Sequence, residues 1–143
     1  MKYLFLPICM AFALVSCTDD PNQVTNEALQ GTWEITSMTL GGQEQLGADT
    51  NKYFINEASV EFLRASDANG TWTKEAVILK GGGNERVNTT LGTYAISNEG
   101  KSLKMTDRDK NVLDFEVSIE GDSYSFTGTD NDNNALTEKA TKK

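Results

Sequence analysis

From residue 31 to near the C-terminus, apolar and polar residues alternate in short runs that are separated by turn-forming residues. The runs are rich in Thr, Val, Ile, Phe, Tyr and Trp, which favour strands, whereas Gly, Asn and Asp lie between them. Eight segments have this pattern: 31–40, 58–64, 71–80, 86–96, 102–106, 112–120, 123–129 and 135–140. The pattern predicts an all-β fold.

The turns predict that neighbouring strands pair in sequence order. Gly and Asn in turns such as Asn69-Gly70 tolerate the positive φ that tight hairpins require. Alternation is clearest in 112–120 and 123–129, which indicates an antiparallel hairpin with one buried face. A sheet of eight twisted strands with one apolar face closes or packs on itself, and closure removes exposed edges. We therefore predict a small eight-stranded antiparallel up-and-down barrel.

The chain begins with a short apolar run that ends just before a cysteine. The apolar run 3–16 is shorter than the roughly 20 residues that a membrane-spanning helix needs, but it suits a secretory leader. Leu14-Val15-Ser16-Cys17 resembles the site at which bacterial lipoproteins are lipidated on the thiol and cleaved. This resemblance implies that Cys17 is the lipidation site and the first mature residue. The alternative is an ordinary signal peptide with an incidental cysteine.

These features divide the chain into three parts: the leader 1–16, a lipidated cysteine with a polar tether 17–26, and one barrel domain 27–143. Acyl chains on Cys17 hold such a domain on a membrane, which is the expected membrane partner. Thr18 directly after the cysteine and then Asp19-Asp20 resemble sorting signals of outer-membrane lipoproteins. We expect an outer-membrane location, at the periplasmic face or the cell surface. Alternatively, the two aspartates simply begin the tether.

The composition excludes several kinds of chemistry. The chain has 13 Lys and Arg, 21 Asp and Glu and no His, with a formal net charge of −8. This charge repels nucleic acid, so we expect no nucleic-acid partner. Cys9 leaves with the leader and lipid blocks Cys17, so neither a disulfide nor a thiolate nucleophile is available. Without imidazole or thiol, we predict no enzyme activity, no catalytic residue and no cofactor.

Two acidic stretches, 107–111 and 130–134, resemble the opening of a calcium-binding EF-hand loop. Each lacks the required Gly at the sixth position and Glu at the twelfth; in the second stretch these are Ala135 and Thr141. Hairpin turns explain both stretches better. We therefore predict no metal site.

Gly31-Thr32-Trp33, directly after a short predicted helical turn, resembles the Gly-X-Trp signature of lipocalins. The strand pattern, the anchor and the Asn69-Gly70-Thr71-Trp72 hairpin are similar to the lipocalin-like domains of bacterial surface lipoproteins, over about residues 27–139. The resemblance implies that Trp33 closes the base of the barrel beneath a basic residue of the last strand. No arginine is present in that strand, and Lys139 is the substitute we expect. The alternative is an ordinary core tryptophan.

The resemblance also implies a function, the binding of a small apolar or amphipathic molecule inside the barrel. Four aromatic residues are expected to line the cavity: Trp72, Tyr94, Phe115 and Tyr124. The competing interpretation is a solid barrel that serves as an accessory or interaction module of an outer-membrane or cell-surface complex and binds an envelope protein. The long segment 41–57 is either a lid over the open end or an extension of the second strand.

Overall fold

The computed structural model describes residues 23–47, 53–80 and 84–143. Within them, one helical turn precedes nine strands: α1 (Asn26–Leu29), β1 (Gly31–Leu40), β2 (Gln43–Glu44), β3 (Tyr53–Arg64), β4 (Asn69–Lys80), β5 (Asn84–Ser97), β6 (Ser102–Asp107), β7 (Val112–Glu120), β8 (Ser123–Thr129) and β9 (Ala135–Lys142). From β3 onward each strand pairs antiparallel with the next, and β1 pairs with both β3 and β9. The predicted closed eight-stranded antiparallel barrel is confirmed, with β2 as one additional strand.

The helical turn α1 closes one end of the barrel, which we call the base. Thr25 is its N-cap, because its side chain accepts a hydrogen bond from the Ala28 N–H at 3.1 Å. The N–H of Val24 donates to the Gly100 carbonyl at 3.0 Å, which ties the start of the turn to the β5–β6 connection. A side chain on Gly100 would lie 2.5 Å from the Val24 carbonyl oxygen, so this close approach requires glycine. Leu29 at the end of α1 is fully buried.

The half of the barrel next to α1 is filled by its own side chains. Trp33 is fully buried, and its indole N–H donates to the Leu29 carbonyl at 2.7 Å. Around it lies an aromatic cluster of inward-facing residues: Phe62, Tyr94, Tyr124 and Phe126. The cation over the Trp33 ring is Lys142, whose Nζ lies 5.1 Å from the ring centroid. The expected substitute Lys139 instead points outward and is exposed, because it lies an odd number of residues from Lys142 along β9.

At the opposite end β1 and β3 separate, since their ladder ends at the pair Glu34–Ser59. The space is occupied by β2 and by Leu46, which forms a parallel bridge with Ile55. β3 begins at Tyr53, so the strand-extension alternative for segment 41–57 holds from Tyr53 onward. Residues 48–52 of that segment, and the glycine-rich tip 81–83, lie outside the described residues.

Candidate functional site

A cavity of about 290 Å³ opens at the end of the barrel opposite α1. Side chains of β1, β4, β5, β6, β7 and β9 line it, so it belongs to the barrel interior and not to the outer surface. Its walls are mainly apolar and are formed by Met38, Trp72, Met105, Leu113, Phe115 and Leu136. The packed aromatic cluster beneath it makes the cavity a cup with a closed floor.

A buried ion pair lies in the cavity lining. The Lys74 ammonium on β4 pairs with the carboxylate of Glu138 on β9, and the other oxygen of Glu138 accepts a hydrogen bond from the Tyr124 hydroxyl at 2.6 Å. Only 4% of the Glu138 side chain and 26% of the Lys74 side chain are exposed. Burial, together with the neighbouring Glu138 charge, raises the pKa of Tyr124 well above its usual value, so its hydroxyl remains a donor. Among the described residues, every buried side-chain polar atom has a hydrogen-bond partner.

Two aspartates lie in the rim of the cavity, each in a hairpin turn. Asp107 accepts hydrogen bonds from the backbone N–H and the side-chain amide of Asn111, both at 2.8 Å, and these bonds lower its pKa. Asp130 accepts from the side-chain amide and backbone N–H of Asn134, at 2.9 and 2.7 Å, and its pKa is lowered in the same way. Hydrogen bonds to the charged form explain both shifts, and the rim therefore carries two ionised carboxylates at neutral pH.

The structure separates the four aromatic residues that were expected to line a cavity. Trp72 and Phe115 lie in its wall, and the indole N–H of Trp72 is fixed by donation to the Thr93 carbonyl at 3.1 Å. Tyr94 lies at the base, where its hydroxyl donates to the side-chain oxygen of Asn26. Tyr124 lies beneath the cavity with its hydroxyl on Glu138.

Lys74 and Glu138 were not among the predicted site residues, although their positions in the sequence carry a signal. Lys74 lies two residues after Trp72 and Glu138 lies two residues before Ala140, so alternation places both on the apolar inward face. A charged residue on such a face needs a partner, because an unpaired buried charge is costly.

The remaining sequence predictions fall on turns or outside the described residues. The stretches 107–111 and 130–134 form hairpin turns, and within the described ranges no three Asp, Glu, His or Cys side chains lie close enough to hold a metal ion. No described helix has the length and apolar character needed to cross a bilayer. Cys17, the predicted lipidation site, lies outside the described residues.

Several solved structures resemble the fold, although no protein-family model and no curated sequence matches the chain. A redesigned β-barrel aligns with a TM-score of 0.58 at 15% identity, over 82% of this chain and 94% of that one. The redesigned barrel mFAP1, bound to DFHBI, aligns with a TM-score of 0.55 at 16% identity, over 82% and 97%. A fatty-acid-binding protein of Schistosoma mansoni in complex with arachidonic acid has a TM-score of 0.43 at 13% identity, over 84% and 100%. At these identities the likeness to the designed barrels establishes the fold alone. Of the expectations from the lipocalin resemblance, it therefore supports the small closed β-barrel and nothing finer.

Proposed function

We propose that the chain binds one small apolar or amphipathic molecule in the cavity between Trp72, Phe115 and Leu136. The observation that carries this proposal is an apolar cup of about 290 Å³ above a solidly packed base. Ligand pockets begin at about 300 Å³, and at about 30 Å³ per water-sized group the cup holds roughly ten non-hydrogen atoms. The solved complex of mFAP1 with DFHBI supports the proposal, because a barrel of similar fold takes up a small molecule.

Isothermal titration of the full chain with 1-octanol, which is uncharged and of suitable size, is expected to show one molecule bound per chain. Replacing Leu113 with tryptophan fills part of the cup, because Leu113 lines it. We expect this variant to bind 1-octanol at least about tenfold more weakly, a loss of about 1.4 kcal/mol of binding free energy.

The matched control is Val112→Trp. Val112 precedes Leu113 on β7, is 41% exposed and lies on the outer face of the barrel. This variant adds the same side chain outside the cup, so its affinity for 1-octanol should equal that of the original chain. If the original chain shows no uptake, the interior is closed to ligands, and the interpretation as an interaction module of an envelope complex gains support instead.

We also propose that the barrel is anchored to the outer membrane through lipid on Cys17, at the periplasmic face or the cell surface. The support is the sequence pattern Leu14-Val15-Ser16-Cys17 after an apolar leader, followed by an acidic tether. Several acyl chains at about 0.8 kcal/mol per buried methylene suffice for a lasting anchor.

The anchor is tested by expressing the full chain in a Gram-negative host that is fed an alkyne-labelled fatty acid. The original chain should incorporate the label and fractionate with the outer membrane. Cys17→Ser should lose the label and the membrane association, whereas Cys9→Ser, at the only other cysteine, should retain both. An unlabelled original chain, or label on the Cys17→Ser variant, would refute this assignment.

A further inference from the structure

The charged groups around the cavity are unequally distributed. Among the described residues, its lining contains one cation, Lys74, and three carboxylates, those of Asp107, Asp130 and Glu138. Lys74 is paired with Glu138, so these two charges compensate each other at the inner end. The two rim aspartates have no cationic partner in the lining. The cup therefore has a mainly apolar interior, in which the one ion pair carries no net charge, and a negative rim.

Basic residues near the rim do not change this balance. Arg108 and Lys110 follow Asp107 in the same turn, but both are exposed and neither lines the cavity. Arg86 on β5 is also exposed and outside the lining. The whole chain is acidic as well, so its general field has the same sign as the rim.

From this charge balance we propose that the molecule bound in the cup carries a positive charge, with its apolar body inside and a protonated amine at the rim beside Asp107 and Asp130. The proposal rests on the proposed function, since it assigns the chemical class of the ligand for the same cavity. Hydrogen bonds from Asn111 and Asn134 orient the two carboxylates and leave further lone pairs on their oxygens. A ligand ammonium can therefore pair with the rim without breaking either turn.

A negatively charged ligand is disfavoured at both ends of the cup. At the rim its charge lies beside Asp107 and Asp130. At the inner end Lys74 is already paired with Glu138, so an anion there would share this one cation with a buried carboxylate of the same sign. The cup is therefore expected to prefer a cationic ligand to an anionic one such as a carboxylate.

Three probes with the same eight-carbon chain separate charge from apolar contact: octylammonium, 1-octanol and octanoate. Titrated into the full chain at neutral pH and low salt, octylammonium should bind at least about tenfold more tightly than 1-octanol, and octanoate should bind most weakly. Raising the salt concentration should reduce the difference, because ions screen charges at the rim. The ranking needs no variant, so it tests the proposal even where a substitution fails to fold.

The double variant Asp107→Asn, Asp130→Asn removes both rim charges. The amide oxygen of each new side chain can still accept the backbone N–H of Asn111 or Asn134, although the bond from the side-chain amide of that residue is lost. We expect the octylammonium preference of this double variant to fall below about threefold. The control is Asp109→Asn, Asp132→Asn, in the same two turns, which changes the net charge equally at residues outside the lining. This control should still bind octylammonium at least about tenfold more tightly than 1-octanol.

The outcomes distinguish the two proposals. Equal binding of the three probes, or tightest binding of octanoate, overturns the cationic assignment and leaves ligand binding in place. An equal loss of preference in the two double variants also overturns it, because overall charge would then be the cause. If 1-octanol and both charged probes fail to bind, the proposed function itself is wrong.

Discussion

Replacing Trp33 with alanine is expected to lower the free energy of unfolding by about 4 kcal/mol, the usual range for a fully buried aromatic residue being about 3–5 kcal/mol. Trp33 is fully buried, lies 5.1 Å from the Tyr124 ring centroid and donates its indole N–H to the Leu29 carbonyl. The substitution removes one hydrogen bond between α1 and the barrel as well as the ring beneath Lys142. Urea denaturation monitored by circular dichroism measures this change in the free energy of unfolding.

Trp33→Phe is the matched variant for this prediction. It keeps an aromatic ring against Tyr124 but loses the hydrogen bond to Leu29, so we expect a loss of about 1–2 kcal/mol. If alanine at this position costs no more than phenylalanine, Trp33 does not hold the base of the barrel together, and the interpretation of this end as a closed base is wrong.

Replacing Lys74 with methionine is expected to lower the free energy of unfolding by about 3 kcal/mol, because it leaves the buried Glu138 carboxylate without its cation. Methionine is similar to lysine in length, so the loss of stability reflects the missing charge and not a change in side-chain volume. Adding Glu138→Gln to this variant removes the orphaned charge and keeps an oxygen for the Tyr124 hydroxyl. The double variant should recover at least about half of the loss, since the cost of an unpaired buried charge is gone.

The control for the ion pair is Lys104→Met. Lys104 lies 3.9 Å from Asp114 on the outer face, and their side chains are 55% and 70% exposed. Such a surface pair contributes at most about 1 kcal/mol, so this variant should be much closer in stability to the original chain than Lys74→Met is. A Lys74→Met variant as stable as Lys104→Met would mean that Glu138 reaches water and that the inner end of the cup is open.

The sequence predicted strand positions best where alternation is unbroken. The bounds of β7 and β8 coincide with the predicted segments 112–120 and 123–129. β3 begins five residues before the segment 58–64, in agreement with the strand-extension alternative; a register shift between Ile55 and Glu57 interrupts the period-two pattern there. The two-residue β2 carries no such pattern; the carboxylate of Glu44 accepts hydrogen bonds from Ser37 and Met38 and holds it against β1.

The candidate site was predictable only in part, because alternation gives the face of a residue but not its height along the barrel. Tyr94 and Tyr124 point inward as expected, yet strand tilt and register place them below the cup, whereas Trp72 and Phe115 lie in its wall. Lys74 and Glu138 are 64 residues apart in the chain, and barrel closure brings their strands to face each other. That proximity is not visible in the sequence.

The most direct test of the ligand-binding account uses the two tryptophans as internal reporters in a nuclear magnetic resonance titration. Trp72 lines the cup, whereas Trp33 is fully buried at the base, and each has one indole N–H signal. On addition of 1-octanol to the isotope-labelled full chain, the Trp72 signal and the backbone signals of the lining should shift to saturation, while the Trp33 signal should stay in place. Shifts confined to the outer surface, or none at all, would contradict a ligand site inside the barrel.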